Sequence, residues 1–358
     1  MGCRLSGAPR VFHRREQPLK RSLSAIGLVV VASLGLTACD PPMPPEVLAS
    51  LAEQTYTCVE GESPLYAIET VSSVATDWQF SVETNCPGMT ITPVTDANQG
   101  SPLQILSSET VADGKVFSKV PFALDATVLV VALTDVTNVN LNAAAIQKIW
   151  SGEITSWSDP ELAALNSSFE LPDMEINFGV DASIGDTTSF NDWMTRLAGT
   201  EVSIAGGTAN LDELAEGSLV LTKYSKATEI AATMVGIVTE RGGEGVIPAM
   251  ETILTAATMF KSKNENGTIF LNFNPNAKAI APDGIAVAPT PYQAVTIISL
   301  NLVGEDSLKT RAAARYLLRQ DSQGSLGLSS VIALPEMRRA ISLATVSVGL
   351  PQPTLAPQ

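Results

Sequence analysis

N-L-N-A-A-A-I-Q-K-I-W-S-G-E-I-T-S-W-S-D-P-E-L-A-A-L-N, residues 140–166, followed after a short gap by M-E-I-N-F-G-V-D-A-S-I-G-D-T-T, residues 174–188, is the stretch that decides the fold. Asn142 can cap a helix that runs through Ile149, with Ile146, Ile149 and Trp150 at helical spacing. Ser151 and Gly152 end it. Ser158 can cap a second helix whose first turn holds Pro160 and Glu161. Ile176-Asn177-Phe178 alternates like a short strand and runs into a loop of small and hydroxyl residues. That loop opens a helix carrying Phe190, Trp193 and Met194. A strand, a Ser/Gly/Thr loop and a helix N-terminus form either an anion cradle or an ordinary turn of an α/β core.

Working outward, the N-terminal side reads as a targeting segment. Arg4, Arg10, Arg14, Arg15, Lys20 and Arg21 precede an apolar run from Ala25 to Leu36, too short to span a bilayer comfortably. The run ends L-T-A-C at Cys39, the pattern of a bacterial lipoprotein signal, so residues 1–38 are expected to be removed and Cys39 lipidated. Asp40-Pro-Pro-Met-Pro-Pro45 then makes a stiff spacer within residues 39–55.

Six of the 22 basic and one of the 37 acidic residues lie in the signal, leaving 16 and 36 in the mature chain and a net charge near −20. Such a surface argues against nucleic acid as a partner, because that binding rests on neutralising phosphates. The one histidine, His13, is in the discarded segment. Its removal excludes Ser-His-Asp and Cys-His catalysis and histidine zinc sites from the mature chain. No cofactor or metal is expected, and the chain is read as a non-enzyme. Carboxylate-pair hydrolysis survives only because acids are abundant, and most of them are expected at the surface. Cys58 and Cys86 remain as an even pair outside the reducing cytosol, so a disulfide is expected, contributing roughly 3 kcal/mol.

Along the chain, a helical face is read over Pro64 to Phe80, a strand over Met89 to Val94 and a short helix from Gly100-Ser101 through Ser107. Strands are read at Val116 to Val120 and Thr127 to Leu133, then at Ser218 to Leu221 and Met234 to Val238. Helices are read at Lys223 to Ala232 and Pro248 to Lys261. Residues 262–290 read as loops, Thr296 to Val303 as a central strand and Ser307 to Leu318 as a helix. Lys309, Arg311, Arg315 and Arg319 are expected on that helix's wet side. Two more helical segments, Ser322 to Ser329 and Pro335 to Ala344, close the domain before a tail. Alternating strands and helices indicate an α/β fold with mainly parallel sheets.

At this point the chain resembles a family. Residues 140–166 are similar to the helix-pair signature N-L-x-x-x-x-L-x-x-I-F-S-G-x-I-x-x-W-x-D-P-x-L-x-x-L-N of phosphate-binding proteins that serve ABC importers. Val120-Pro-Phe-Ala-Leu-Asp125, Gly217 to Ser225 and Ser325 to Glu336 match further family segments in order. The resemblance implies a type II, two-lobe, periplasmic-binding-protein-like fold with the ligand cleft between lobes. Lobe 1 would comprise residues 56–130 and 292–345, lobe 2 residues 131–291, and the tail residues 346–358. Thr127 to Leu133 would be the outgoing crossover, with Thr296 to Val303 in the first lobe after the return.

The resemblance implies Ser63, Ser101, Ser183, Gly185, Thr187 and Thr188 as ligand-binding residues converging in the cleft. It also implies capture of a small solute, phosphate or another oxyanion, outside the membrane for an ABC permease; the signal ending at Cys39 adds the expectation of a lipid anchor to the bacterial cell membrane. The ligand loop departs from the family's R-S-D-G-S-G-T-T: Val180 stands at the Arg position, Ala182 at the Asp position, and Asp181 and Asp186 add charge. Loss of a guanidinium contact weakens oxyanion binding, and the added carboxylates favour a neutral or cationic ligand. The alternatives are a cell-surface interaction protein that kept the fold and lost the ligand, and an enzyme such as a phosphatase on the same scaffold.

Overall fold

The computed structural model describes residues 55–96, 100–282, 285–351 and 354–355, all within the unit Met43–Gln358. Cys39 and the proline spacer lie outside the described residues. In chain order the elements begin with β1 (Thr55–Tyr56), β2 (Gly61–Ala67), α1 (Glu69–Asn85), β3 (Met89–Val94), β4 (Leu103–Ser107) and β5 (Val116–Val131). They continue with β6 (Asn140–Asn142), α2 (Ala143–Trp150), α3 (Pro160–Leu165), β7 (Asn177–Val180), α4 (Thr188–Ala198), β8 (Ser218–Lys223) and α5 (Tyr224–Glu229). Then come β9 (Thr233–Met234), β10 (Gly236–Val238), β11 (Gly245–Val246), α6 (Met250–Ala257), β12 (Phe260–Glu265) and β13 (Thr268–Phe273). The last are β14 (Val295–Val303), α7 (Leu308–Leu317), α8 (Gln320–Gly324), β15 (Ile332–Ala333), α9 (Glu336–Val346) and β16 (Thr354–Leu355).

The deciding stretch folds as its local signals require. The Asn142 side chain accepts from the Ala145 amide at 2.8 Å and starts α2. The second helix is capped by Asp159, not Ser158: Asp159 accepts from the Glu161 amide, while the Ser158 hydroxyl donates to Asp173. Asn166 is buried and ties α3 to β6, accepting from the Asn140 amide and donating to Asn140 O and Leu162 O.

Two buried apolar clusters underlie the two lobes. One holds Leu65, Trp78, Ile91, Ile105, Phe122, Leu300 and Leu317; the other holds Leu129, Ile146, Trp157, Phe190, Leu219 and Tyr292. A single strand, β5, serves both. Val120, Phe122 and Ala123 pack in the first cluster, and Leu124 to Val131 in the second. The strand expectations at 116–120 and 127–133 are therefore two halves of one element. β14 returns antiparallel beside it and changes clusters between Ile297 and Ile298. Those residues pair with Leu124 and Ala123, so both strands cross on the same rungs, and the register slips between Ile298 and Ser299. This pairing makes the sheet mixed rather than mainly parallel. β2 is parallel to β3 and β4, and β7 to β8, but β14 runs against both β4 and β5 because it returns the chain across the lobes.

Several local expectations are corrected. Ser63, Leu65 and Ala67 are buried in alternation, so Gly61–Ala67 is a strand and the helix begins at Glu69, not Pro64. Leu103–Ser107 is a strand rather than a short helix. The segment read as loops holds the β12–β13 hairpin, and the helix before it stops at Ala257. Arg311 and Arg315 on α7, and Arg319 just past its end, are buried, not wet. Arg319 lies 4.0 Å over the Tyr56 ring and donates to Thr55 O at 2.6 Å, and Arg315 reaches the Thr57 hydroxyl. β1 also pairs with β16, so the tail takes part in the fold. The Cys58–Cys86 disulfide forms beside this segment, with Cα atoms 5.2 Å apart.

Candidate functional site

The loop between β7 and α4 begins at a buried carboxylate. The Asp181 amide donates to Leu221 O, which carries the β7–β8 pairing one residue further. Asp181 Oδ1 accepts from the Ser183 amide at 2.9 Å and its hydroxyl at 3.1 Å, and Oδ2 accepts from the Thr222 hydroxyl at 2.6 Å. Lys226 Nζ stands 3.6 Å from Asp181 and donates to Ser183 Oγ. Burial pushes the Asp181 pKa up, but the Thr222 and Ser183 hydrogen bonds and the Lys226 charge outweigh it, so the pKa lies below the usual carboxylate value. Asp181 is therefore not the solvated loop acid that the sequence suggests; it shapes the loop.

The rest of the loop is also occupied by its own contacts. Gly185 sits at φ +73°, a left-handed conformation that a side chain would strain. Thr187 donates to Ile204 O at 2.7 Å and accepts from Asn191 Nδ2. Asp186 Oδ1 accepts from the Thr188 amide at 2.9 Å and from its hydroxyl at 2.7 Å. A carboxylate of the chain itself thus satisfies the first amide of α4, a place that suits an anion. Val180, at the Arg position of the resembled loop, is buried in the core.

A cavity of about 360 Å³ opens beside α4. Asp186, Thr188, Asp192 and Arg196 line one side, Ser108 and Glu109 follow the end of β4, and the hairpin contributes Phe260 and Phe273. Residues 295–297, at the lobe crossing, complete it. Arg196 donates to Gln293 Oε1 at 3.2 Å and stands 5.2 Å from the Phe273 centroid; burial lowers its pKa while Asp192 opposes that shift. Behind Ser108, Lys119 Nζ donates to Ser108 O at 2.8 Å; burial lowers its pKa and Glu109 opposes. Three carboxylates around one guanidinium give this cavity a negative potential. Among the described residues, no group of three or more His, Cys, Asp or Glu could hold a metal.

Of the six candidate ligand residues, Thr188 lines this cavity. Ser183 and Thr187 are near in sequence, but their hydroxyls serve Asp181 and Ile204 O. Ser63 and Ser101 are both buried two residues before the paired rung Leu65–Leu103. They belong to the upstream end of the parallel strands, roughly 20 Å along the chain direction from the end of β4 at Ser107 at a rise of about 3.3 Å per residue. Sequence reasoning missed Glu109, because β4 reads as a helix there. It also missed the pair Asp192 and Arg196, although their i, i+4 spacing places them on one face of α4.

The architecture is that of a two-lobed binding protein, two α/β bodies joined by crossing strands. The chain belongs to the PBP superfamily domain family, whose profile matches residues 100–282. Phosphate-binding protein PstS 3 of Mycobacterium tuberculosis is 30% identical over 139 residues, 34% of this chain and 37% of that protein. PstS 2 of the same organism is 25% identical over 178 residues, 45% and 48% of the two chains. The chain thus spans between about a third and a half of the length of the curated relatives it matches. Among solved structures, a DING protein aligns with a TM-score of 0.51 at 13% identity, covering 82% of this chain and 96% of that one. A human phosphate binding apolipoprotein aligns at 0.50 and 12%, covering 79% and 93%. At these identities the likeness is one of fold.

Proposed function

We propose that this protein is an extracytoplasmic solute-binding protein of the phosphate-binding type, lipid-anchored at Cys39, that captures a small solute for an ABC importer and catalyses no reaction. The lobes are taken as residues 56–130 with 292–345, and 131–291. The observation that carries the reading is the cavity at the lobe crossing in a chain of this family, within the size range of small-molecule sites. The relatives named phosphate-binding support the class of solute. The wall chemistry argues for weakened oxyanion affinity. Asp186 already holds the Thr188 amide, and Glu109 and Asp192 add negative charge where a dianion would sit. No described helix is long and apolar enough to cross a membrane, and the lipid at Cys39 would supply the attachment.

The test is calorimetry on the mature chain with Cys39→Ser, which removes the lipid, titrated with inorganic phosphate. A dissociation constant weaker than micromolar is expected, and submicromolar binding would overturn the altered site. The same protein is then screened by thermal shift against oxyanions, amines, amino acids and sugars. A concentration-dependent rise in Tm with one of them supports solute capture. No shift with any would favour the interaction-protein reading, which the self-satisfied α4 amide already suits.

A further inference from the structure

We infer that the cavity beside α4 takes an organic cation, a solute with a protonated amine at one end and an apolar body at the other. The inference rests on the reading of this cavity as the solute site and names the chemical class that fills it.

The charge balance comes first. Ser189, Asp192 and Arg196 recur at i, i+3 and i+7, so they form one stripe of α4 along the space, while Phe190, Trp193 and Met194 are buried in the core. With Glu109 and Asp186 the wall holds three carboxylates against one guanidinium, a balance of −2. That guanidinium is already engaged, by Gln293 Oε1 at 3.2 Å and by the Phe273 ring. Lys119 stands behind Ser108, donates to its carbonyl and is not part of the wall. Among the described residues no salt bridge joins Glu109, Asp186 or Asp192 to a basic group. Asp186 holds the Thr188 amide and hydroxyl through Oδ1 alone, which leaves Oδ2 without a donor. Glu109 accepts from the Ser108 hydroxyl at 3.2 Å.

A second observation on the same stripe calls for a donor. The Ser189 hydroxyl oxygen is buried on the cavity wall and has no hydrogen-bond partner. A buried polar atom left unpaired is costly, and this one can accept from an ammonium N–H just as the carboxylates can. The spacing of the acids excludes a bare metal ion, because no three of the described acids are placed to hold one. A carbon frame that carries its own charge suits carboxylates spread around a space. The other walls are apolar. Phe260 and Phe273 meet edge-on at 5.2 Å, and Leu271, Val295 and Ile297 continue the surface. A hydrated inorganic ion gains nothing from these groups, whereas an alkyl or aryl body is drawn out of water by them. The space of about 360 Å³ would take about twelve waters at roughly 30 Å³ each, room for one ring or a short chain.

The test uses the mature chain with Cys39→Ser and three probes on one aryl body: phenethylamine, phenethyl alcohol and phenylacetate, which are cation, neutral molecule and anion. Calorimetry is expected to show the amine binding about tenfold tighter than the alcohol, with phenylacetate weakest. Raising the ionic strength should narrow that gap. Glu109→Gln with Asp192→Asn, both exposed side chains, should weaken the amine about tenfold, about threefold for each exposed charge, and change the alcohol less than about twofold. Glu83→Gln, an exposed acid on α1 outside the cavity, should change neither. Alcohol or phenylacetate binding as tightly as the amine overturns the cation while leaving solute capture standing. Amine binding that the double variant does not weaken overturns its placement in this cavity. Failure of all three probes overturns the inference too; a Tm rise with a sugar or an oxyanion in the wider screen would then keep solute capture, and no rise with any solute would remove both.

Discussion

Replacing Asp181 is the sharpest probe of how the loop before α4 is held. Its carboxylate accepts three hydrogen bonds from Ser183 and Thr222 and faces Lys226. Asp181→Ala leaves the fully buried Thr222 hydroxyl and the Ser183 amide without their acceptor. Each orphaned buried donor costs about 1–3 kcal/mol. Lys226 is a quarter exposed, so water recovers part of its loss and its share is discounted. A total near 3 kcal/mol is a large fraction of a typical stability of about 5–15 kcal/mol. Asp181→Asn keeps an acceptor for Ser183, and the Thr222 hydroxyl can turn to accept from the amide, so its cost should be nearer 1 kcal/mol. Because the folded pKa is depressed, the charged form's contribution is present above the unfolded pKa and lost as pH falls through the lower folded value. The gap between wild type and Asp181→Ala should thus hold steady from pH 7 to about pH 4 and narrow below it. Urea unfolding followed by tryptophan fluorescence reads it directly. A gap under about 0.5 kcal/mol at pH 7, within the usual range of surface substitutions, or one that widens on acidification, would refute the account.

Two further outcomes are expected. Cys58→Ser with Cys86→Ser should cost about 3–4 kcal/mol, from a sequence separation of 28 residues, and lower the urea midpoint without changing the far-ultraviolet spectrum; an unchanged midpoint would show that the Arg315 and Arg319 contacts already hold this segment. Val180→Arg should restore no phosphate binding and should destabilise by several kcal/mol, because it forces a guanidinium into the core; a stable variant with gained phosphate affinity would show that the side chain escapes to the cavity.

The sequence was most readable where short-range chemistry decides. The Asn142 cap, the β7–loop–α4 order and the Cys58–Cys86 pair all rest on residues close in sequence or on simple counting. Arg315 and Arg319 were misplaced because helical spacing cannot reveal that Thr55–Thr57 will lie across α7; that partner is some 260 residues away. Ser63 was placed on a loop because the family loop was laid over a segment that is strand here. The hairpin is a different failure. Asn266-Gly267 between Phe260–Glu265 and Thr268–Phe273 is among the strongest local signals for a two-residue hairpin turn, and the surrounding Asn, Gly and Pro residues masked it.

Selectivity at the cavity rests on what faces the space: three carboxylates, one guanidinium held by Gln293 and two aromatic rings. Asp186, by satisfying the Thr188 amide, fills from within the chain a place at the start of α4 that suits an anion. An oxyanion in the cavity would have to displace that carboxylate or do without the amide, and would meet Glu109 and Asp192 as it entered. Weak oxyanion affinity follows from that local chemistry, and Asp186→Asn, which keeps an acceptor for the amide while removing the charge, should raise phosphate affinity in the same calorimetric titration; an unchanged or lower affinity would refute the argument.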